Sequence, residues 1–260
     1  AVGGEPTSVA VLGEYALVAV NTSPDFVNTS GNLQVVNIAT QTLVRTMDLG
    51  GQPDSIAISP DKQYAAIAIE NERDEDFNDG LIPQLPAGYL IIVDTSSADP
   101  QDWSLATVDL TGLDGALYPS DPEPEYVSIN NDNICALTLQ ENNAIVLIDL
   151  ETATVIKSFS AGFVDIDGID IVEDGLITQT ESLTAVPREP DAIAWIGTEY
   201  FATADEGDLD GGSRSFTIWD VEGNIVYTSG NEADQWAARV GHYPDERSEN
   251  KGSEPEAVTY

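Results

Sequence analysis

The chain has very little positive charge: 9 Lys and Arg in 260 residues, against 46 Asp and Glu, for a formal net charge of −37. A polyanion repels nucleic-acid backbones and anionic membrane surfaces, which excludes both as default partners. Cysteine is almost absent. The single Cys135 excludes an intramolecular disulfide framework and a cysteine-rich zinc site, and its apolar surroundings make it inert core. No apolar run approaches the roughly 18 residues of a spanning helix, so no direct membrane insertion is expected. No basic stretch leads into an apolar one at the start, so no signal peptide is expected. The only histidine, His242, has no partner constellation for a triad. A Gly-x-Ser-x-Gly elbow, a phosphate-binding loop and a Gly-x-Gly-x-x-Gly turn are all missing.

What remains is a globular composition, 42% hydrophobic and 7% aromatic, long enough to bury a core. A small domain is comfortable at a net charge of roughly 2–8. Self-repulsion beyond that must be screened by salt or neutralised by bound cations. The expectation is a saline or cation-rich setting outside the cell; a halophilic cytosol would produce the same composition. Asn21 and Asn28 open two glycosylation triplets.

A hexapeptide recurs five times: Glu5-Pro-Thr-Ser-Val-Ala, Gln52-Pro-Asp-Ser-Ile-Ala, Glu123-Pro-Glu-Tyr-Val-Ser, Glu189-Pro-Asp-Ala-Ile-Ala and Glu254-Pro-Glu-Ala-Val-Thr. Behind each of the first four come short β-branched and aromatic runs in the same order. First strands are expected at 9–12, 56–58, 126–129 and 193–196, and second strands at 15–20, 64–69, 134–139 and 200–204. Third strands are expected at 33–38, 89–93, 144–148 and 216–219, and fourth strands at 43–48, 105–110, 154–159 and 225–228. Asn37, Asp94, Asp149 and Asp220 close the third strands, where a short polar side chain can bond the turn backbone. No window carries an amphipathic-helix pattern. Units of four strands over roughly 40–50 residues plus insertions describe β-propeller blades. The fold class is therefore all-β, a propeller with blades at about 5–51, 52–122, 123–188 and 189–253. The first strand of a fifth begins at 254, so the chain reads as a single segment of a larger propeller.

The excess loop length, at 21–32, 70–88, 111–122, 160–188, 205–214 and 229–253, falls on one face of such a ring, where binding residues usually sit. The Pro of the hexapeptide holds the preceding carboxylate in a defined direction. Glu5, Glu123, Glu189 and Glu254 are expected to form an arc around the channel mouth, with Gln52 the departure and with Glu70, Glu141, Asp205 and Glu206 reaching the same rim. Converging hard oxygens suit Ca²⁺; the alternative is that each Glu caps backbone amides at the blade junction. The run Asp205-Glu206-Gly207-Asp208-Leu209-Asp210 resembles a calcium loop in composition without EF-hand spacing, and 74–79 is a weaker version. Arg214, Arg247 and Lys251 are candidates to hold phosphate, or else to neutralise nearby acids.

Several long strings then follow in order: Glu123-Pro-Glu-Tyr-Val-Ser, Leu139-Gln-Glu-Asn-Asn-Ala-Ile-Val, Thr203-Ala-Asp-Glu-Gly-Asp, Gly212-Ser-Arg-Ser-Phe-Thr-Ile-Trp-Asp, and Gly241-His-Tyr-Pro-Asp-Glu-Arg-Ser-Glu-Asn-Lys-Gly-Ser-Glu-Pro-Glu. With these the sequence resembles the extracellular bacterial propellers called choice-of-anchor I domains. Those are similar to mesenchyme-specific cell-surface glycoproteins and to proteins labelled alkaline phosphatase or phytase-like esterase. The resemblance covers about 120–260 well and the first 120 residues as repeats. It departs from the longer members in a short insert between Glu206 and Gly212. It implies a secreted or surface-anchored propeller. Two functions follow as expectations. One is a binding, adhesion or matrix module, with an extracellular partner or glycan and Ca²⁺ as support. The other is a Ca²⁺-dependent phosphoesterase acting on a phosphorylated small molecule. Further blades, from the same or another chain, are an expected partner.

Overall fold

The computed structural model describes residues 3–74 and 77–260. Alternating apolar residues build four antiparallel four-stranded sheets, each in chain order from inside to outside. Blade 1 holds β1 (Glu5–Leu12), β2 (Tyr15–Asn21), β3 (Gly31–Asn37) and β4 (Thr42–Asp48). Blade 2 holds β5 (Pro53–Ile58), β6 (Tyr64–Ile69), β7 (Tyr89–Asp94) and β8 (Ser104–Asp109). Blade 3 holds β9 (Pro124–Ile129), β10 (Ile134–Leu139), β11 (Ala144–Asp149) and β12 (Thr154–Ser160). Two further strands, β13 (Phe163–Ile169) and β14 (Glu181–Pro187), form a separate hairpin. Blade 4 follows with β15 (Ile193–Ile196), β16 (Tyr200–Asp205), β17 (Ser215–Asp220) and β18 (Ile225–Thr228). The first strands of successive blades are neighbours, which gives the sheets their radial, propeller-like arrangement.

All sixteen expected blade strands form, with ends shifted by a few residues at most. The residue closing each third strand does what its chemistry suggests. Asn37 accepts from the Thr40 amide at 3.0 Å, Asp94 from Ser96 at 3.0 Å, Asp149 from Thr152 at 2.9 Å, and Asp220 from Glu222 and Asn224 at 2.9 Å.

The core lies between blades. The middle strands of blades 2 and 3 are apolar on both faces because a neighbouring blade covers each face. One face of β10, with Cys135, Leu137 and Leu139, packs on blade 2 against Ala66, Leu90 and Ile92. Its other face, with Ala136, packs on blade 4 against Ile193, Trp195 and Phe201. Between blades 1 and 2, Leu17, Leu33 and Val35 meet Ile67, Ile69 and Ile91.

Three expectations need correction. Residues 160–188, expected as a long loop, contain the β13–β14 hairpin, whose pairing shifts register twice and so disguises the alternation. The absence of helix does not hold: α1 (Glu232–Val240) ends on Gly241 in the left-handed conformation at φ 76°. Ala233, Trp236, Ala237 and Val240 recur at helical spacing, but Trp236 and Val240 face outward and the only buried residue of the helix is Asp234. Residues 254–260, where the first strand of a fifth blade was expected, form no strand.

Leu137 is fully buried between two blades. Leu137→Ala is expected to cost about 2–5 kcal/mol of stability, read as a lower midpoint in urea unfolding.

Candidate functional site at the channel mouth

The expected arc of Glu residues does not converge. Glu5 is exposed on β1. Glu123 is buried, accepting from the Arg73 amide at 2.6 Å and pairing with the Arg73 guanidinium at 2.7 Å. Glu254 pairs with Arg247, with Nε to Oε2 at 2.9 Å. Glu189 is fully buried and accepts from the backbone N–H groups of Asp208 and Asp210 at 2.6 and 2.8 Å. Amide capping is therefore what Glu189 does. Its carboxyl titrates upward, to about 7, because burial outweighs those two bonds.

The loop that resembles a calcium loop is built the other way round. A Cβ on Gly207 would meet the Gly211 carbonyl and one on Gly212 the Glu206 carbonyl, both inside van der Waals contact, so the two glycines let the loop fold onto itself. Its amides point inward at Glu189. Inward amides form an anion nest, the opposite of a cation cage. Asp205 is not free either. It is fully buried and accepts from the hydroxyls of Thr203 (2.6 Å), Ser215 (2.8 Å) and Thr217 (2.5 Å), and Trp219 Nε1 donates to Thr203 Oγ1 at 3.0 Å. Burial pushes Asp205 up to about 6 despite the hydroxyls. Glu206 accepts from Gln140 at 3.1 Å and from Lys251 at 3.4 Å, and Asp208 accepts from Lys251 at 2.8 Å. Asp210 lies exposed on the loop. In the weaker acidic run, Glu75 and Asp76 lie outside the described residues.

The three candidate phosphate ligands separate. Arg214 has no exposed surface. It donates to the carbonyls of Asp170 and Ser248 at 2.8 Å and reaches the Asp234 carboxylate at 3.2 Å. It thereby ties the hairpin, α1 and the 241–253 segment together, and that internal role replaces the expected anion-binding one. Arg247 and Lys251 do line one polar groove of about 710 Å³ with Asp208 and Asp210, but both face carboxylates across it.

The residues that gather are the third of three hexapeptides. Asp54, Glu125 and Asp191 interact electrostatically with one another, and Glu70 joins them. The cause is local. In β1, β5 and β9 the pairing skips after the Pro, leaving a bulge opposite the second strand. A bulge re-aims a side chain that strict alternation would place elsewhere. Burial first, then the Glu72 carboxylate, pushes Asp54 up to about 6. Burial first, then Glu206, pushes Asp191 up to about 7. Glu70 and Glu125 rise as well, again chiefly through burial. The recurring acid at that position in four of the five hexapeptides was the available signal; blade 1 has Thr7 there. The second residue missed is Arg73, buried in the loop after β6 and bonded to Asp121, Glu123 and Glu141. Among the described residues no group of three or more His, Cys, Asp or Glu side chains is arranged to hold a metal ion.

Radial four-stranded sheets around an acidic mouth define a β-propeller. The chain belongs to the choice-of-anchor I domain family, whose model matches residues 1–211 and 209–260. No curated protein matches it. Among solved structures it is similar to hydrazine synthase of Kuenenia stuttgartiensis, at 9% identity and TM-score 0.53, over 84% of this chain and 58% of that one. It is also similar to a protein from Lactobacillus plantarum, at 15% identity and TM-score 0.54, over 86% of this chain and 55% of that one. The WD40 repeats of RRP9 match at 11% identity and TM-score 0.52, over 85% of this chain and 50% of theirs. These likenesses are of fold, and the chain spans 50–58% of the length of these three structures.

Two outcomes test this geometry. Removing one partner of a buried pair strands the other charge, so Arg214→Ala is expected to cost about 3–5 kcal/mol in chemical unfolding. The double change Arg214→Met with Asp234→Leu should recover most of that loss. The second outcome concerns pH. Folded values of about 6 and 7 for Asp54 and Asp191 lie above the unfolded ones, so the native state holds extra protons between about pH 4 and 7. Stability contributed by these groups is present below the unfolded value and lost as pH rises through the folded one. At low ionic strength the melting temperature should fall from pH 5 to pH 8, and Asp54→Asn with Asp191→Asn should flatten that slope.

Proposed function

We propose that this domain is a non-catalytic binding module of the extracellular space or cell surface, with Ca²⁺ supporting its acidic mouth. The observation that carries the reading is the disposition of the cations. Arg73, Arg214, Arg247 and Lys251 are each engaged by carboxylates of the chain itself. A phosphoesterase needs cationic groups turned toward substrate beside its metal. The mouth, by contrast, gathers carboxylates whose repulsion a cation relieves. Carboxylate oxygens suit Ca²⁺, and because no cage of three is drawn together among the described residues, the support is by hydrated ions shared among Asp54, Glu70, Glu125 and Asp191. Such a rim favours a glycan or protein partner that approaches through Ca²⁺ or through its own positive groups, and disfavours nucleic acid.

The phosphoesterase reading keeps one specific observation, the groove that Arg247 and Lys251 share. One preparation distinguishes the two readings. A ligand selective for the folded state stabilises it by mass action. Ca²⁺ is therefore expected to raise the melting temperature above that in Na⁺ or chelator at fixed ionic strength, with the increment reduced by Asp54→Asn and Asp191→Asn. Hydrolysis of p-nitrophenyl phosphate in the same buffer should stay at the rate of buffer alone. Turnover that disappears in Lys251→Ala would overturn the binding reading, and an unchanged melting temperature would remove Ca²⁺ from it.

A further inference from the structure

A cavity of about 240 Å³ opens between the β13–β14 hairpin and blade 4, and none of the four mouth acids lines it. Asp165 and Asp167 line it from β13, and Ser213, Ser215, Thr228 and Asn231 from blade 4 and the turn that opens α1. The protons of these side chains can be traced. Ser213 and Ser215 are 1% and 2% exposed. The Asp205 carboxyl beside them, at about 6, is ionised at neutral pH, and a carboxylate accepts and never donates. Ser215 therefore spends its proton on Asp205 at 2.8 Å, so in the 2.7 Å contact between the two serines the donor is Ser213. Asn231 gives both Nδ2 hydrogens to the carbonyls of Asp167 and Gly168, at 2.6 and 3.1 Å. Asp165 takes the Ala185 amide on Oδ1 at 2.9 Å, which leaves its Oδ2. The Asp167 carboxylate accepts no hydrogen bond among the described residues. What these side chains have left to offer is almost wholly acceptor: two serine oxygens, an amide oxygen and two carboxylates. Thr228 alone keeps a hydroxyl proton to give.

We propose that this cavity binds a protonated amine or guanidinium carried on a short alkyl stem. A wall of acceptors needs a ligand rich in N–H donors, and two carboxylates ask for positive charge. Val164 and Ile166 line the same cavity, and branched aliphatics suit the methylenes of such a stem. Size agrees. The volume falls below the roughly 300–1,000 Å³ of sites for drug-sized ligands, so the guest is about as large as one side chain. A metal ion fits less well. Among the described residues no three acidic, His or Cys side chains are arranged to hold one, and the aliphatic part of the wall has no oxygen to give it. The net charge of −37 draws organic cations toward every face of the chain, and here the donor pattern selects them. A free base and a Lys or Arg side chain of a partner share this chemistry. The site is separate from the acidic mouth, so failure of Ca²⁺ binding there would leave it untouched.

Amide chemical shifts followed by NMR test the site and locate it at once. The chain is titrated with agmatine and, separately, with the blocked peptide acetyl-Gly-Arg-Gly-amide, at fixed ionic strength. The expected result is saturable shifts at Asp167, Ser215 and Asn231 with either probe. Tighter binding of agmatine assigns the site to a free base, and tighter binding of the peptide assigns it to a partner's side chain. Asp167 is exposed and holds no hydrogen bond among the described residues, so Asp167→Asn removes charge and leaves the fold alone. That change should weaken binding about tenfold, while Glu151→Gln, an exposed acid on a turn of blade 3, should leave it within about twofold. Neutral butylurea should shift none of these amides. Equal binding of butylurea, unchanged affinity in Asp167→Asn, or shifts confined to mouth residues such as Asp54 and Asp191 would each overturn the proposal. Displacement of agmatine from these three amides by an equal concentration of Ca²⁺ would assign the cavity to a metal ion and overturn it as well.

Discussion

Satisfying buried carboxylates is the constraint on which the rest of this structure depends. With 46 acids and 9 strong bases, a compact fold cannot keep every carboxylate in water and cannot pair each one it buries. An unpaired buried charge is expensive, so each one inside must find donors or a proton. Three kinds of donor are used. Asp205 takes hydroxyls, Glu189 takes backbone amides, and Glu123 and Asp234 take guanidinium groups. Of the nine cations, Arg73, Arg188 and Arg214 are buried. The scarce positive charge is placed where it holds loops to the blades.

That allocation shapes the functional face. Arg214 joins the hairpin, α1 and the 241–253 segment, and Arg73 joins the loops around residues 73, 121 and 141. Cations committed in this way cannot also present themselves to an anionic substrate. The carboxylates left without such partners, Asp54, Glu70, Glu125 and Asp191, collect where the blades converge. Their raised values follow from burial and mutual repulsion, and a mouth of that kind takes up protons or cations.

The blades themselves rest on a different interaction. Neighbouring blades stack through apolar contacts, aliphatic between blades 2 and 3 and largely aromatic between blades 3 and 4. The two systems are largely segregated: apolar layers lie between sheets, and carboxylate networks lie among the loops. A high surface charge is compatible with this fold because its inter-blade core contains almost none.

Sixteen strands, their order, the turn-closing Asn and Asp residues and the family were legible in the sequence alone, because each rests on a local pattern repeated several times. A period-two apolar run between turn residues has few other solutions. The site was legible only in outline. Which acid of the hexapeptide joins the others depends, in blades 2 and 3, on a bulge, and a bulge is set by pairing with the second strand rather than by the first strand's own residues. Whether Arg214 meets solvent or Asp234 depends on a helix 20 residues away that buries a polar side chain and turns its apolar residues outward, so the apolar pattern does not mark the face that packs. Glu189 and the 205–212 loop read as cation ligands by composition. Only the folded chain shows the amides turned inward, because loop direction is decided by the glycines' close approach to other backbone and not by the charges between them.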